Sequence, residues 1–305
     1  MRKVPPTNDL MFKKLFGSEE NKPILQGLIH DVWGYDIALD DIDIIHAYSI
    51  KAYEEALREE LSGTDITPSR EIVLHETLRD ITVVCPVADF LQELQLRKDD
   101  HFDLRALYYT CQRFCDNYNV PGRMLQRPNG KPNRFSSLRP VKALNILGHL
   151  RFPDDQDAFR IFDLYDPAHG RSYPGQPLTI AAFELGKPHV TGVLQYWRQF
   201  FTGATVDSAA PSYIHEAEAK LDYLNLSRKE KTVIDLLEKA EARYDSELDT
   251  AWFGGRAEGH DEGYAEGVND MISAMQNRGL DPATIALVVN DARGSQADTW
   301  TVSPR

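Results

Sequence analysis

Asp80, Glu93 and Gln95 carry the side chains in this 305-residue chain that are best placed to do chemistry together. They lie within RDITVVCPVADFLQELQL, residues 79–96, which reads as two short β-strands joined by a tight connection. Ile81, Val83 and Val84 fill the first strand, Pro86-Val87-Ala88-Asp89 breaks it, and Phe90 to Leu96 forms the second. Side chains alternate along a strand, so Asp80 and Thr82 share one face, as do Leu91, Glu93 and Gln95. A connection centred near residues 87 and 88 sets Asp80 opposite Gln95 and Thr82 opposite Glu93. Asp80 and Glu93 are then diagonal neighbours, roughly 7 Å apart at the backbone and closer at their carboxylates. A hard divalent cation such as Mg²⁺ takes carboxylate oxygens while keeping several waters, and spans that gap. The same spacing also suits a hairpin with a solvated acidic face. Burial distinguishes the two, because half-buried carboxylates repel each other unless a cation lies between them.

The elements that must hold this hairpin follow from the apolar spacing on either side. Thr7-Asn8-Asp9 is a helix N-cap cluster ahead of Leu10, Met11, Phe12, Leu15 and Phe16, with Gly17 as the stop. A second helix is predicted over 23–32, starting at a proline. Ile42 to Ile50 is a strand candidate, 51–61 is helical by propensity, and 62–70 is a loop. A helix over 103–118 places Leu104, Leu107, Tyr108, Cys111 and Phe114 or Cys115 on one apolar stripe, with Tyr109 and Arg113 towards its edge. Strands follow at 141–148, 158–165 and 177–185, separated by Pro-Asp and Pro-Gly turn signals. Beyond His189 the pattern is helical, roughly 190–202, 212–225, 228–243, 246–277 and 281–290, and 295–305 reads as disordered. Strands early and helices late predict an α/β core, residues 1–225, with a helical C-terminal extension, residues 226–305.

Composition narrows the function. No apolar run approaches the roughly 20 residues of a membrane span, and the N-terminus lacks a signal-peptide apolar region. The three cysteines have no framework spacing, which fits a reducing cytoplasm. Cys111 and Cys115 have no second pair in register for zinc. A net charge of −13 opposes generic polyanion binding. Yet residues 121–151 contain seven Lys and Arg, among them Arg127, Lys131 and Arg134, and no Asp or Glu. Such a block is either a solvated loop or the place where a phosphate backbone is tolerated. Glycines at 255, 259, 263 and 267 recur every four residues. At about 1 kcal/mol per glycine in a helix interior, that segment is either a marginal helix held by a packing partner or a flexible tether.

The order of TNDLMFKKLFG (7–17), Asp80…Glu93-Leu94-Gln95, RALYYTCQRF (105–114), ALNILGHLRFPDDQDAFRIFDLYDP (143–167), LTIAAFELGKP (178–188) and the glycine repeat resembles the PD-(D/E)XK nuclease family transposases, the recombination-promoting nucleases. The resemblance covers most of residues 5–290. It implies a restriction-endonuclease-like core, a central mixed sheet flanked by helices, and Mg²⁺-dependent (or Mn²⁺-dependent) endonucleolytic cleavage of double-stranded DNA. Asp80 matches the motif aspartate and Glu93 the motif acid. Gln95 stands where many members have Lys, and Arg79 replaces the motif proline.

The expected mechanism combines both readings. Asp80, Glu93 and the carbonyl of Leu94 hold metal, and Gln95 orients the attacking water. An amide carries no charge, so its contribution to the transition state is smaller than a lysine's. Arg97 and Lys98 are expected phosphate contacts, and Arg105 and Tyr109 belong to the rim, Tyr109 with core packing as the alternative. Asp9 either caps its helix or reaches the metal, and Glu19 or Glu20 either adds an acidic ligand or is a solvated helix end. A homo-oligomer through the C-terminal helices is a further expectation. The contrasting class is a nuclease-fold module that binds DNA or oligomerises without cleaving.

Overall fold

The structure is a computed structural model that describes residues 2–45, 48–53, 55 and 81–294. Asp80, most of the predicted 51–61 helix, the 62–70 loop and the 295–305 tail lie outside the described residues. The chain divides into two compact units, residues 1–236 and 237–305.

The first unit is built on a six-stranded mixed sheet. Its strands are β1 (Asp43–Ile45), β2 (Ile81–Val84), β3 (Asp89–Gln95), β6 (Val141–Leu147), β7 (Phe159–Asp163) and β10 (Leu178–Glu184), in spatial order β1-β2-β3-β6-β10-β7. Two small ribbons, β4 (Leu125–Gln126) with β5 (Pro132–Asn133) and β8 (Tyr165–Asp166) with β9 (Arg171–Ser172), project from the connections. β6 runs parallel to both β3 and β10, and the outer pairings are antiparallel. Every residue of β6 is buried. A strand with parallel neighbours is covered on both faces, which is why VKALNIL reads as a nearly continuous apolar run.

The hairpin forms with its turn centre one residue, and each pairing two residues, from the expected register. Thr82 pairs with Leu91 rather than Glu93, and Ile81 pairs with Gln92. Pro86 takes the second position of a turn spanning Cys85 to Ala88, whose ends are joined by Cys85 N–H donating to the Ala88 carbonyl at 3.2 Å. That moves the turn centre back by one residue, because proline presets the φ which this position needs. β3 therefore starts at Asp89, one residue earlier than predicted.

Helices cover both sheet faces. α1 (Asp9–Gly17) is capped by Asn8, whose Oδ1 accepts from Met11 N–H at 3.3 Å, so Asp9 is the first helical residue rather than the cap. α2 (Lys22–Trp33) starts with Pro23 in its first turn and stops at Gly34, φ +71°. Phe12 and Phe16 of α1 meet Phe201 and Trp197 of α4 (Leu194–Phe201) with ring centroids 5.8–6.4 Å apart. α5 (Ser212–Ala219) packs on α2. On the opposite face, α3 (Phe102–Asp116) lies against β6 and β10, burying Phe102 and Ala106 on Leu147 and Ala182.

α3 departs from its apolar pattern. Leu104, Leu107 and Tyr108, expected in the core, are exposed, while Phe102, Ala106 and Thr110 are buried. The helix is turned so that polar residues face the sheet. β1 is also shorter than the predicted 42–50 strand, and the predicted 158–165 strand is divided between β7 and β8.

α6 (Arg228–Asn277) is one unbroken helix where two were predicted, and its glycine repeat is helical rather than a tether. No proline interrupts it, and its glycines alternate with Ala and Glu, which are good helix formers. Within the second unit, Val268 packs with Ile285 and Val289 of α7 (Pro282–Gly294), joined by Tyr264, Met271 and Met275. No helix among the described residues is long and apolar enough to cross a membrane.

Candidate active site

β3 is the strand that places the chemistry. Leu91, Glu93 and Gln95 alternate with Phe90, Gln92 and Leu94. The even set is almost fully buried, with Phe90 edge-on to the Tyr35 ring at 5.5 Å. The odd set faces α3. Registered partners share a face, so Asn145 of β6 stands beside Glu93, and Ala143 beside Leu91. Small side chains at Ala143 and Ala106 leave room between sheet and helix. A cleft of about 410 Å³ opens there, lined among others by Thr82, Glu93, Tyr109, Arg113, Asp116 and Asn145.

Arg105 organises the inner end. Its Nη2 donates to Glu93 Oε1 at 3.1 Å and to Gln95 Oε1 at 2.8 Å, and its Nη1 donates to Asp99 Oδ2 at 2.7 Å. Gln95 Nε2 donates in turn to the Arg97 carbonyl at 2.8 Å. The amide orientation is thereby fixed at both ends. One Nε2 hydrogen and one oxygen lone pair are left for a further partner. Asp99 also accepts from the His101 backbone N–H at 2.8 Å, which anchors it at the start of α3.

Further along the same face lies Asp89, fully buried at the start of β3. Its Oδ2 accepts from Arg113 Nε at 2.6 Å and from Asn117 Nδ2 at 2.9 Å. Asn117 Oδ1 accepts from Arg123 Nη1 at 3.1 Å. Arg139 donates to the Cys85 carbonyl in the adjoining turn. Burial pulls the Arg139 pKa down, and the nearby Arg123 charge pulls it further.

The structure brings together Glu93, Gln95, Arg105 and Tyr109 of the predicted set. Leu94 points its side chain to the other face, and only its backbone is available on the sheet. Arg97 borders the group through its carbonyl, while Lys98 is exposed beside Asp100 at 3.6 Å. Arg127, Lys131 and Arg134 are exposed on and beside the β4–β5 ribbon, and are not among the cleft-lining residues described. Nor are Asp9 and Glu20; Glu20 lies near Tyr48 instead. Glu19 pairs with Lys22 at 2.6 Å. Sequence reasoning missed Asn145, Asp99 and Asp89. Asn145 carried a signal, as a lone amide inside an otherwise apolar strand.

The fit of a divalent metal can be tested on the donors present. Among the described residues no group of three His, Cys, Asp or Glu side chains converges. Glu93 is accompanied by oxygen donors, Thr82 and Asn145, which suit a hard cation rather than zinc. Asn145 Nδ2 donates to the Ala181 carbonyl at 3.1 Å, leaving its Oδ1 without a partner among the described residues. The donor type therefore fits Mg²⁺, with one carboxylate supplied by the described residues. Comparison of the chain with family models, curated proteins and solved structures finds no match.

Proposed function

We propose that this chain is a Mg²⁺-dependent DNA endonuclease of the PD-(D/E)XK transposase type, hydrolysing phosphodiester bonds in double-stranded DNA. The observation that carries the reading is the alternation of Glu93 and Gln95 onto the cleft-side face of β3, where Arg105 bonds both. Asp80 enters from the sequence; it directly precedes Ile81, whose partner on β3 is Gln92. Glu93, Asp80 and the Leu94 carbonyl would hold the cation. When bound, Mg²⁺ polarises the scissile phosphate and makes a bound water acidic enough to attack. Gln95 would orient the attacking water through its remaining amide hydrogen, and Arg105 keeps Gln95 from rotating. Tyr109 and Arg113 line the cleft beside the strand being cut.

A second reading is a nuclease-fold module that binds DNA without cleaving it. It draws on Arg105, which already balances the Glu93 charge with no cation. A plasmid-nicking assay with Mg²⁺ decides between the two. The enzyme reading expects nicking by the wild type and none by Glu93→Ala or Asp80→Ala; nicking that survives both substitutions is contamination, and its absence in the wild type leaves the binding module.

Self-association through the C-terminal helices completes the proposal. Gly255, Gly259, Gly263 and Gly267 have open space where a Cβ would stand, and Trp252 and Phe253 are exposed on the same helix. Light scattering should give a mass above one chain, falling to one chain in Trp252→Ser/Phe253→Ser.

A further inference from the structure

Six partly buried arginines of the first unit differ in their partners. Arg105, Arg151 and Arg160 are committed to carboxylates: Arg105 to Glu93 and Asp99, Arg151 to Asp103, Arg160 to Asp155. Arg113 pairs with the buried Asp89, and Arg123 and Arg139 pair with no carboxylate among the described residues. Each is anchored through a single nitrogen, Arg113 Nε on Asp89, Arg123 Nη1 on Asn117 and Arg139 Nη1 on the Cys85 carbonyl. A guanidinium has five N–H donors. The remaining donors of all three have no partner among the described residues, although the side chains are partly buried and held in place.

Charge points the same way. Three cations stand around one buried carboxylate, Asp89, with Asp116 exposed at the cleft wall as the other acid nearby. Burial lowers the Arg139 pKa first, and the Arg123 charge lowers it further against the opposing pull of Asp89, so two like charges lie near each other. Folding does not need this repulsion. A phosphate, with three or four acceptor oxygens matching guanidinium forks, relieves it.

We propose that Arg113, Arg123 and Arg139 form a phosphate subsite that grips the DNA backbone at the outer end of the cleft, ordered by Asp89 and Asn117. Asp89 precedes Glu93 by four residues on the same strand face, about 13 Å along β3. The gripped phosphate is therefore a flanking one, not the scissile one. This inference rests on the nuclease reading and gives its substrate a fixed direction along β3, whereas the exposed Arg127, Lys131 and Arg134 could only add a diffuse field.

The test uses the full chain in EDTA, with anisotropy of a short fluorescein-labelled DNA duplex measured across KCl concentrations. Arg123→Gln, which disturbs only the bond to Asn117, should weaken binding several-fold and reduce the log–log salt slope by about 0.9. Arg123→Lys should retain most of the slope. A circular-dichroism melt within a degree or two of wild type shows that the variant is folded. An unchanged slope overturns the subsite. So does a thermal shift with inorganic phosphate that is lost in Arg123→Gln while duplex binding is unaffected, since the site then serves a free phosphate. Nicking by Glu93→Ala is scored separately: loss of the nuclease reading leaves the slope result standing, and an unchanged slope leaves the nicking result standing.

Discussion

Arg105 Nη2 stands 3.1 Å from Glu93 Oε1, and the same nitrogen reaches Gln95 Oε1 at 2.8 Å. One donor group thus fixes two alternate residues of an interior strand to the helix above them. Arg105→Met should remove the guanidinium that pairs with the partly buried carboxylates of Glu93 and Asp99. We expect a loss of about 1–3 kcal/mol, read as a lower urea midpoint at unchanged slope. Glu93→Gln retains an acceptor for Arg105 and should cost less than 1 kcal/mol, roughly the net value of an ordinary hydrogen bond. A neutral Arg105→Met would show that the network contributes no stability.

Asp89 is the more severe position. Asp89→Ala removes the carboxylate paired with Arg113 among the described residues and leaves that cation near Arg123 and Arg139. About 3 kcal/mol should be lost, as when one member of a buried ion pair is deleted. Equilibrium unfolding in urea measures it, and a loss below about 1 kcal/mol contradicts the assignment.

Glu230 governs acid stability. Burial opposes its ionisation, but Lys14 Nζ at 2.7 Å, the Ser227 backbone N–H at 2.7 Å and the Tyr48 hydroxyl at 2.8 Å outweigh burial and hold its pKa at about 2, below the usual 4.5. A depressed carboxylate pKa means that the unfolded chain binds the proton more readily. The stabilisation is present above pH 4.5 and fades as the pH falls toward 2, amounting to about 3 kcal/mol at neutrality. Glu230→Gln should be less stable at pH 7 and should lose most of its pH dependence between 4.5 and 2, as followed by thermal melts.

Gly27→Ala tests packing between α2 and α5. A Cβ there would come within 2.5 Å of the Tyr213 ring, and that ring is pinned by its hydroxyl on Asp31 at 2.8 Å. The gain of about 1 kcal/mol in helix propensity is outweighed by overpacking of about 1–3 kcal/mol. The melting temperature should fall; a rise would mean that α5 moves aside freely.

How much could be read beforehand depends on which residues are local to one another. The alternation of Glu93 and Gln95, the Pro23 start of α2 and the buried run of β6 follow from period and propensity alone. The hairpin pairing slipped because Val87-Ala88 resembles a turn centre as closely as Pro86-Val87; moving the centre by one residue shifts each partner by two and leaves every side chain on its own face. α3 misled for a physical reason. A helix roofing a cleft turns Tyr109 and Arg113 into it and Arg105 onto β3, so its apolar stripe of Leu104, Leu107 and Tyr108 points to solvent and the amphipathic rule inverts. Asp99, Asn145 and the pairing of Asp89 with Arg113 arise from contacts across the fold, which no spacing within one segment announces.

β3 is hydrogen-bonded along both flanks, antiparallel to β2 and parallel to β6. Inserting or deleting one residue within 89–95 would turn Glu93 and Gln95 toward the Phe90 side and bring Leu94 into the cleft. Relatives of this chain should therefore keep that strand's length invariant and confine their insertions to the ribbons at 121–140 and 164–177.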